Sequence, residues 1–233
     1  RFADLFTEFS DATSPFPFTL PEVSQFEEAA GRLGITPATH VVVYDGLAGQ
    51  WAARLWWVFR TLGHERVSVL NGGLKKYVAE GGVLETGIAP YERTIYRSAG
   101  EAKPYARKEQ VAAIVDGQVA GRLVCLLQPD DYTGAISVRS RAGHIPGSVN
   151  LPFTALVSDE DNTLLPPDRL AEVFRSVTAL EGELVVTYCG GGIASTLGAL
   201  ALDAIGYANT LEFDGSLAEW ISDPSLPLIV GDN

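Results

Sequence analysis

The chain has 233 residues, 46% of them hydrophobic, enough apolar material for one large domain or for two of about 100 to 130 residues. A formal net charge of -12 with pI near 4.6 excludes wholesale binding to nucleic acid or anionic lipid, which need clustered cations, and leaves room only for a local cationic pocket. Two cysteines 64 positions apart, Cys125 and Cys189, make neither a disulfide framework nor a metal site, no apolar run approaches the ~18 residues of a membrane span, and no secretory leader opens the chain, so a soluble protein of the reducing cytoplasm is expected.

In chain order, the first buried strand is predicted at residues 41–44, a β-branched run that ends on Asp45-Gly46. A helix follows over residues 51–63, with Leu55, Val58, Phe59 and Leu62 on one face and Gly63 as its stop. A short strand at residues 67–70 then enters the turn Asn71-Gly72-Gly73. Residues 97–104 are polar and contain glycine and proline, the composition of a linker. Beyond it come a strand at residues 123–127, the segment Ala142-Gly143-His144-Ile145-Pro146-Gly147-Ser148-Val149-Asn150, and a strand at residues 184–188. That strand ends on Cys189-Gly190-Gly191-Gly192, and the following helix carries Leu197, Leu200, Ala201, Ala204 and Ile205 on one face before Gly206. Residues 210–213 form the last strand and lead into Asp214-Gly215-Ser216.

The first and last of these stretches are copies of each other. Tyr44 and Asp45 lie 144 positions before Tyr188 and Cys189, while Gly63, Asn71, Leu74 and Tyr77 lie 143 before Gly206, Asp214, Leu217 and Trp220, so one single-residue gap aligns them. Each copy alternates strands with a helix, which implies an α/β class with parallel sheets flanked by helices. The expected organisation is an N-terminal domain over residues 1–97, a linker over 98–107 and a C-terminal domain over 108–233.

The copies differ at one chemically loaded position, Asp45 against Cys189. Cys189 follows a buried strand and precedes three glycines and a helix entrance, the ligand-facing edge of a parallel sheet. Glycines there can turn consecutive amides toward one point, and the positive end of a helix beginning near Ala194 or Ser195 aims at the same point. A thiolate or a persulfide would be stabilised in that setting, whereas a cysteine outside it is usually a small buried hydrophobe. The loop resembles the cradle of cysteine phosphatases, but no arginine follows in the helix to grip a phosphate, so sulfur is the better-fitting passenger.

Tyr188-Cys189-Gly190-Gly191-Gly192-Ile193-Ala194-Ser195-Thr196, the segment from Ala142 to Pro152, and Phe213-Asp214-Gly215-Ser216 through Trp220 together resemble the signatures of tandem-domain rhodaneses, the thiosulfate and 3-mercaptopyruvate sulfurtransferases. The first copy, with Asp45, Trp56-Trp57 and Asn71-Gly72-Gly73, resembles the family's inactive partner domain. The resemblance implies two rhodanese-like domains and a ping-pong cycle. In it Cys189 takes sulfur from a small donor as a persulfide and passes it to cyanide or to a thiol acceptor such as thioredoxin, with no metal or cofactor. Substrate contacts are expected from Gly190, Gly191, Gly192, Ile193, Ala194, Ser195, Thr196, Arg139 and Arg141, although hydroxyls such as Ser195 and Thr196 more often satisfy a first helical turn. In the family it resembles, a neutral loop goes with 3-mercaptopyruvate and a cationic one with thiosulfate, so the resemblance implies 3-mercaptopyruvate here.

Two departures from the family pattern stand out. The Asp-Ala-Arg that usually ends the domain's first strand is replaced here, with Cys125 and Leu127 at the aspartate and arginine positions, leaving Arg139 or Arg141 to supply the cation. The first copy shows no Gly-His-Ile-Pro-Gly segment ahead of Asp45, so its opening strand and helix are expected to be missing. These departures keep open a second reading, a non-catalytic persulfide carrier or interaction module on the same scaffold. Cys125 reads as a buried strand residue or as a thiol that resolves the persulfide, His144 as a group that fixes its loop, and Trp220 as a packing aromatic.

Overall fold

A computed structural model describes residues 1–87, 91–98, 103–136 and 138–232; residues 99–102 of the expected linker lie outside the described residues. The first half contains helix α1 (Val23–Arg32), strand β1 (Val41–Val43), helix α2 (Gln50–Thr61), strand β2 (Val67–Val69) and helix α3 (Gly73–Ala79). The second half runs α4 (Lys108–Val115), β3 (Arg122–Cys125), α5 (Pro129–Thr133), β4 (Val149–Asn150), a 3-10 turn (Phe153–Leu156), α6 (Pro167–Arg175), β5 (Val185–Tyr188), α7 (Ala194–Ala204), β6 (Thr210–Glu212) and α8 (Ser216–Trp220). Both sheets are parallel, as the alternation of strands and helices requires: β1-β2 in the first half and β4-β3-β5-β6 in the second.

Strand β5 is buried along its whole length, which explains why it reads as a continuous β-branched run rather than an alternating one. Its two faces serve two apolar layers. Tyr188 packs with Cys125, Val111, Leu217 and Trp220 on one side, and Val185 packs with Phe174, Ala201 and Leu202 on the other. In the first half β1 pairs only with β2 among the described residues, and Val42 and Tyr44 are more than half exposed.

The halves meet along α2 and α7. Leu197 and Leu200 of α7 join the core built on Phe9, Phe26, Trp56, Trp57 and Phe59 of the first half. Small residues make this close approach feasible on the sheet side as well, since a Cβ on Gly198 would sit 3.1 Å from Leu126. The ends of both helices follow the expected glycine stops, with Gly63 at φ 85° and Gly206 at φ 74°.

Candidate active site

The repeat is clearest where the two strand-to-helix loops are compared atom by atom. In the first copy the Asp45 carboxylate fills the loop. Its Oδ1 accepts the amides of Leu47 (2.8 Å) and Gly49 (3.2 Å), and its Oδ2 accepts those of Trp51 and Ala52, both at 3.0 Å. The loop is thus an anion cradle already occupied by a side chain of its own chain.

In the second copy Cys189 stands in the place of Asp45, and among the described residues the amides of Gly190, Gly191, Gly192, Ile193, Ala194 and Ser195 take no acceptor. The left-handed glycines of the two loops are Gly49 (φ 89°) and Gly192 (φ 77°). They lie four residues after Asp45 and three after Cys189, which places the single gap of the repeat inside the loop. A side chain at Gly192 would be excluded twice, by its φ and by the Asp214 carbonyl oxygen 2.6 Å from the Cβ position.

Gly190 and Gly191 serve a different purpose from the one expected, because neither has a positive φ. They are small so that the cleft walls can approach: added Cβ atoms would lie 3.1 Å from Arg139 Nη1 and 3.3 Å from Pro17 Cγ. Those walls enclose a cleft of about 460 Å³ over the loop. Phe16 and Phe18 come from the first half, and Arg139, Ile193 and Ile221 from the second.

Hydrogen bonds from the last strand and turn fix the cysteine itself. Cys189 is 2% exposed. Its amide donates to Ser216 Oγ (3.1 Å), its carbonyl accepts from Leu217 N (3.1 Å), and Ser195 Oγ lies 3.4 Å from its Sγ. Ser216 holds a left-handed conformation (φ 48°) at the position of Gly73 (φ 56°) in the first copy, a strain of order 1–3 kcal/mol for a non-glycine residue. The anchored Cys189 amide accounts for a side chain being kept there.

The expected site residues divide by geometry. Ser195 reaches both the sulfur and Glu212 Oε1 (2.6 Å), whereas Thr196 Oγ1 donates to the Ile193 carbonyl (2.7 Å) and so satisfies the first helical turn. Arg139 lines the cleft and is ion-paired with Asp131. Arg141 is instead directed to the carbonyls of Asp223 (3.0 Å) and Leu226 (2.8 Å), so of the two arginines only Arg139 lines the cleft. His144 Nδ1 meets the Tyr132 carbonyl at 2.9 Å, and its ring stacks on that tyrosine, a loop-fixing arrangement. Trp220 Nε1 donates to the Pro227 carbonyl from a fully buried position.

Cys125 is a free, fully buried thiol. It belongs to the apolar layer of Tyr188, while Cys189 belongs to the opposite one. Burial pushes the Cys125 thiol up to about 12. A thiol so rarely ionised is a poor resolving nucleophile.

Three polar residues that the sequence reading left unassigned complete the site. Arg54, from α2 of the first half, is fully buried. It donates to Asp214 Oδ1 (2.6 Å), to the Gly192 carbonyl (3.2 Å) and to the Phe18 carbonyl, and its guanidinium stacks on Trp57. Asp214 Oδ2 in turn accepts the Leu20 amide (2.8 Å), so one ion pair ties both halves to the active loop. Glu212 lies beneath them at 1% exposure. Burial holds its carboxyl well above the ordinary range, an effect that Arg54 opposes and Asp214 reinforces.

The model for the Rhodanese-like domain family matches residues 12–80 and 104–223. The thiosulfate sulfurtransferase of Rattus norvegicus is 33% identical over 223 residues, covering 91% of this chain and 73% of the relative. The 3-mercaptopyruvate sulfurtransferase of Homo sapiens is 35% identical over 221 residues, with coverage of 91% and 72%. Among solved structures, the Tum1 protein of Saccharomyces cerevisiae superposes with a TM-score of 0.88 at 25% identity, covering 99% of this chain and 82% of that one.

Proposed function

The chain belongs to the rhodanese family of thiosulfate and 3-mercaptopyruvate sulfurtransferases, and from that premise we propose that Cys189 carries sulfur as a persulfide, taken from 3-mercaptopyruvate in preference to thiosulfate. One observation carries the reading: where the first copy binds its own carboxylate with four amides, the second has a cysteine at the matching position and six loop amides without an acceptor among the described residues.

The chemistry runs in two halves. The Cys189 thiolate attacks the donor sulfur, a new S–S bond forms, and the bond between that sulfur and its carbon breaks with the electron pair left on the pyruvate enolate, which takes a proton. Cyanide or a thiol then attacks the outer sulfur, and Cys189 leaves as the thiolate. The cradle's amides and the N-terminus of α7 stabilise the sulfur that bears the charge in each half.

Donor preference follows from the charge at the cleft. Arg139 is compensated by Asp131, so the mouth offers guanidinium hydrogen bonds with little net positive charge. A single carboxylate beside a neutral carbonyl suits it better than the thiosulfate dianion. The test is the ratio of turnover on the two donors with cyanide or a thiol as acceptor. A ratio above one supports the assignment, and faster turnover on thiosulfate contradicts it. Loading of one sulfur without repeated turnover on either donor would instead favour a persulfide carrier.

A further inference from the structure

We propose that Ser195 and Glu212 form a proton relay for Cys189, with one transferable proton shared between the thiol and the buried carboxyl through the serine hydroxyl. This rests on the reading of Cys189 as the sulfur carrier.

Three hydroxyls surround the loop, and only one leads anywhere. Ser216 Oγ lies 4.0 Å from Sγ, accepts the Cys189 amide and donates to the Phe213 carbonyl. Thr196 donates to the Ile193 carbonyl. Ser195 alone stands between Sγ (3.4 Å) and an ionisable group, Glu212 Oε1 (2.6 Å). Glu212 Oε2 has no hydrogen-bond partner among the described residues and lies 3.9 Å from Arg54 Nη1. A buried carboxyl with one oxygen accepting from a serine and the other facing a guanidinium without a hydrogen bond is arranged to gain and lose a proton.

The charges around the cluster point the same way. Arg54, from α2, is paired with Asp214, from the turn after β6, at 2.6 Å and faces Glu212 Oε2 at 3.9 Å, so one cation serves two carboxyls. Arg139, across Gly190, is paired with Asp131. Tyr188 and Cys125 pack in the other layer of the sheet and stay protonated, both thiol and phenol pushed up by burial. Cys189 and Glu212 are therefore left to settle one negative charge between them, since two anions this close in a dry site repel strongly.

The step balances within the cluster. Ser195 Oγ takes the thiol proton as its own hydroxyl proton passes to Glu212 Oε1, giving a thiolate and a neutral acid. The thiolate attacks the donor sulfur, and the leaving group departs with the electron pair of the broken bond. When an acceptor removes the outer sulfur, Cys189 leaves as a thiolate and Glu212 returns the proton through Ser195. Ser195, which touches the sulfur, is a catalytic residue; Glu212, which acts through it, is a positioning residue.

The test is the pH profile of Cys189 alkylation by iodoacetamide, followed by peptide mass mapping in wild type, Ser195→Ala, Glu212→Gln and the double variant. Ser195→Ala is expected to react about tenfold more slowly at pH 7, with its rise in rate displaced upward by about one pH unit, whereas Glu212→Gln, which removes the anion that competes with the thiolate, is expected to displace the rise downward by a comparable amount. The double variant should be no slower than Ser195→Ala, and sulfur loading from 3-mercaptopyruvate should follow the alkylation profile of each variant. A Glu212→Gln protein with wild-type circular dichroism and an unchanged or upward-shifted profile overturns the relay. Should Glu212→Gln fail to fold, Ser195→Ala, which removes one oxygen, decides alone. Wild type that neither alkylates nor loads sulfur at Cys189 defeats the underlying reading, whereas wild type that loads sulfur with variants that match it defeats the relay only.

Discussion

The loops after β1 and β5 share a backbone plan and differ in what occupies it. Asp45 supplies its own anion, takes four amides and closes the first loop. Cys189 supplies a shorter side chain, and its loop is one residue tighter, with amides that have no acceptor among the described residues. The matching position is filled by an anionic side chain in one copy and leaves the loop amides without an acceptor among the described residues in the other. The lesson is that the first half displays, with its own carboxylate, the charge that the proposed function assigns to the sulfur of the second. That half also contributes directly, through Arg54 and the Phe16 and Phe18 wall.

The comparison breaks most visibly at the sulfur. Cys189→Ser is expected to abolish sulfur loading and turnover completely, measured by intact mass and by thiocyanate formation, because the remaining buried thiol, Cys125, is not ionised near neutral pH. Next comes the clamp. Arg54→Met leaves the buried Asp214 carboxylate without its cation and should cost about 3–5 kcal/mol in urea unfolding, with sulfur loading also impaired, since the Gly192 carbonyl loses its donor.

Emptying the first loop has a smaller effect. Asp45→Ala removes the acceptor of four amides at a half-buried position, a loss of about 1–3 kcal/mol, while sulfur loading at Cys189 stays within about twofold of wild type. Asp45→Asn, which keeps an acceptor oxygen, should fall between the two in stability. The smallest effect is in pH. Because burial raises Glu212 above its ordinary value of 4.5, the folded state binds the proton more tightly than the unfolded one. Its contribution is full below that value and is lost as pH rises through the raised folded value. Glu212→Gln should flatten this decline in a series of urea unfolding curves.

Much of this is legible in the amino-acid sequence alone. The helix after Cys189, its glycine stop and the parallel α/β plan follow from periodicity and from the repeat, both of which are local signals. The role of Asp45 was visible only as a substitution in the repeat; its amide contacts required the loop conformation. Arg54 and Glu212 were missed because their partners are 160 and 17 positions away, beyond the reach of periodicity. Each nonetheless left a trace. Arg54 sits on a helix face with Trp57, Val58 and Thr61, and Glu212 sits in a strand between Leu211 and Phe213, so each is a charge where burial is expected. Arg139 and Arg141 could not be separated by sequence, since only tertiary structure turns one toward Gly190 and the other toward backbone carbonyls. The glycines at 190 and 191 were expected to supply unusual dihedrals and instead supply clearance, a distinction that rests on which walls close over them.

The most direct test of the claim that the second loop holds sulfur where the first holds a carboxylate is peptide-resolved mass spectrometry of the protein after incubation with 3-mercaptopyruvate and removal of excess donor. One added sulfur on the peptide containing Cys189, and none on that containing Cys125, is the predicted result. An unmodified Cys189, or sulfur found on Cys125 instead, would contradict it.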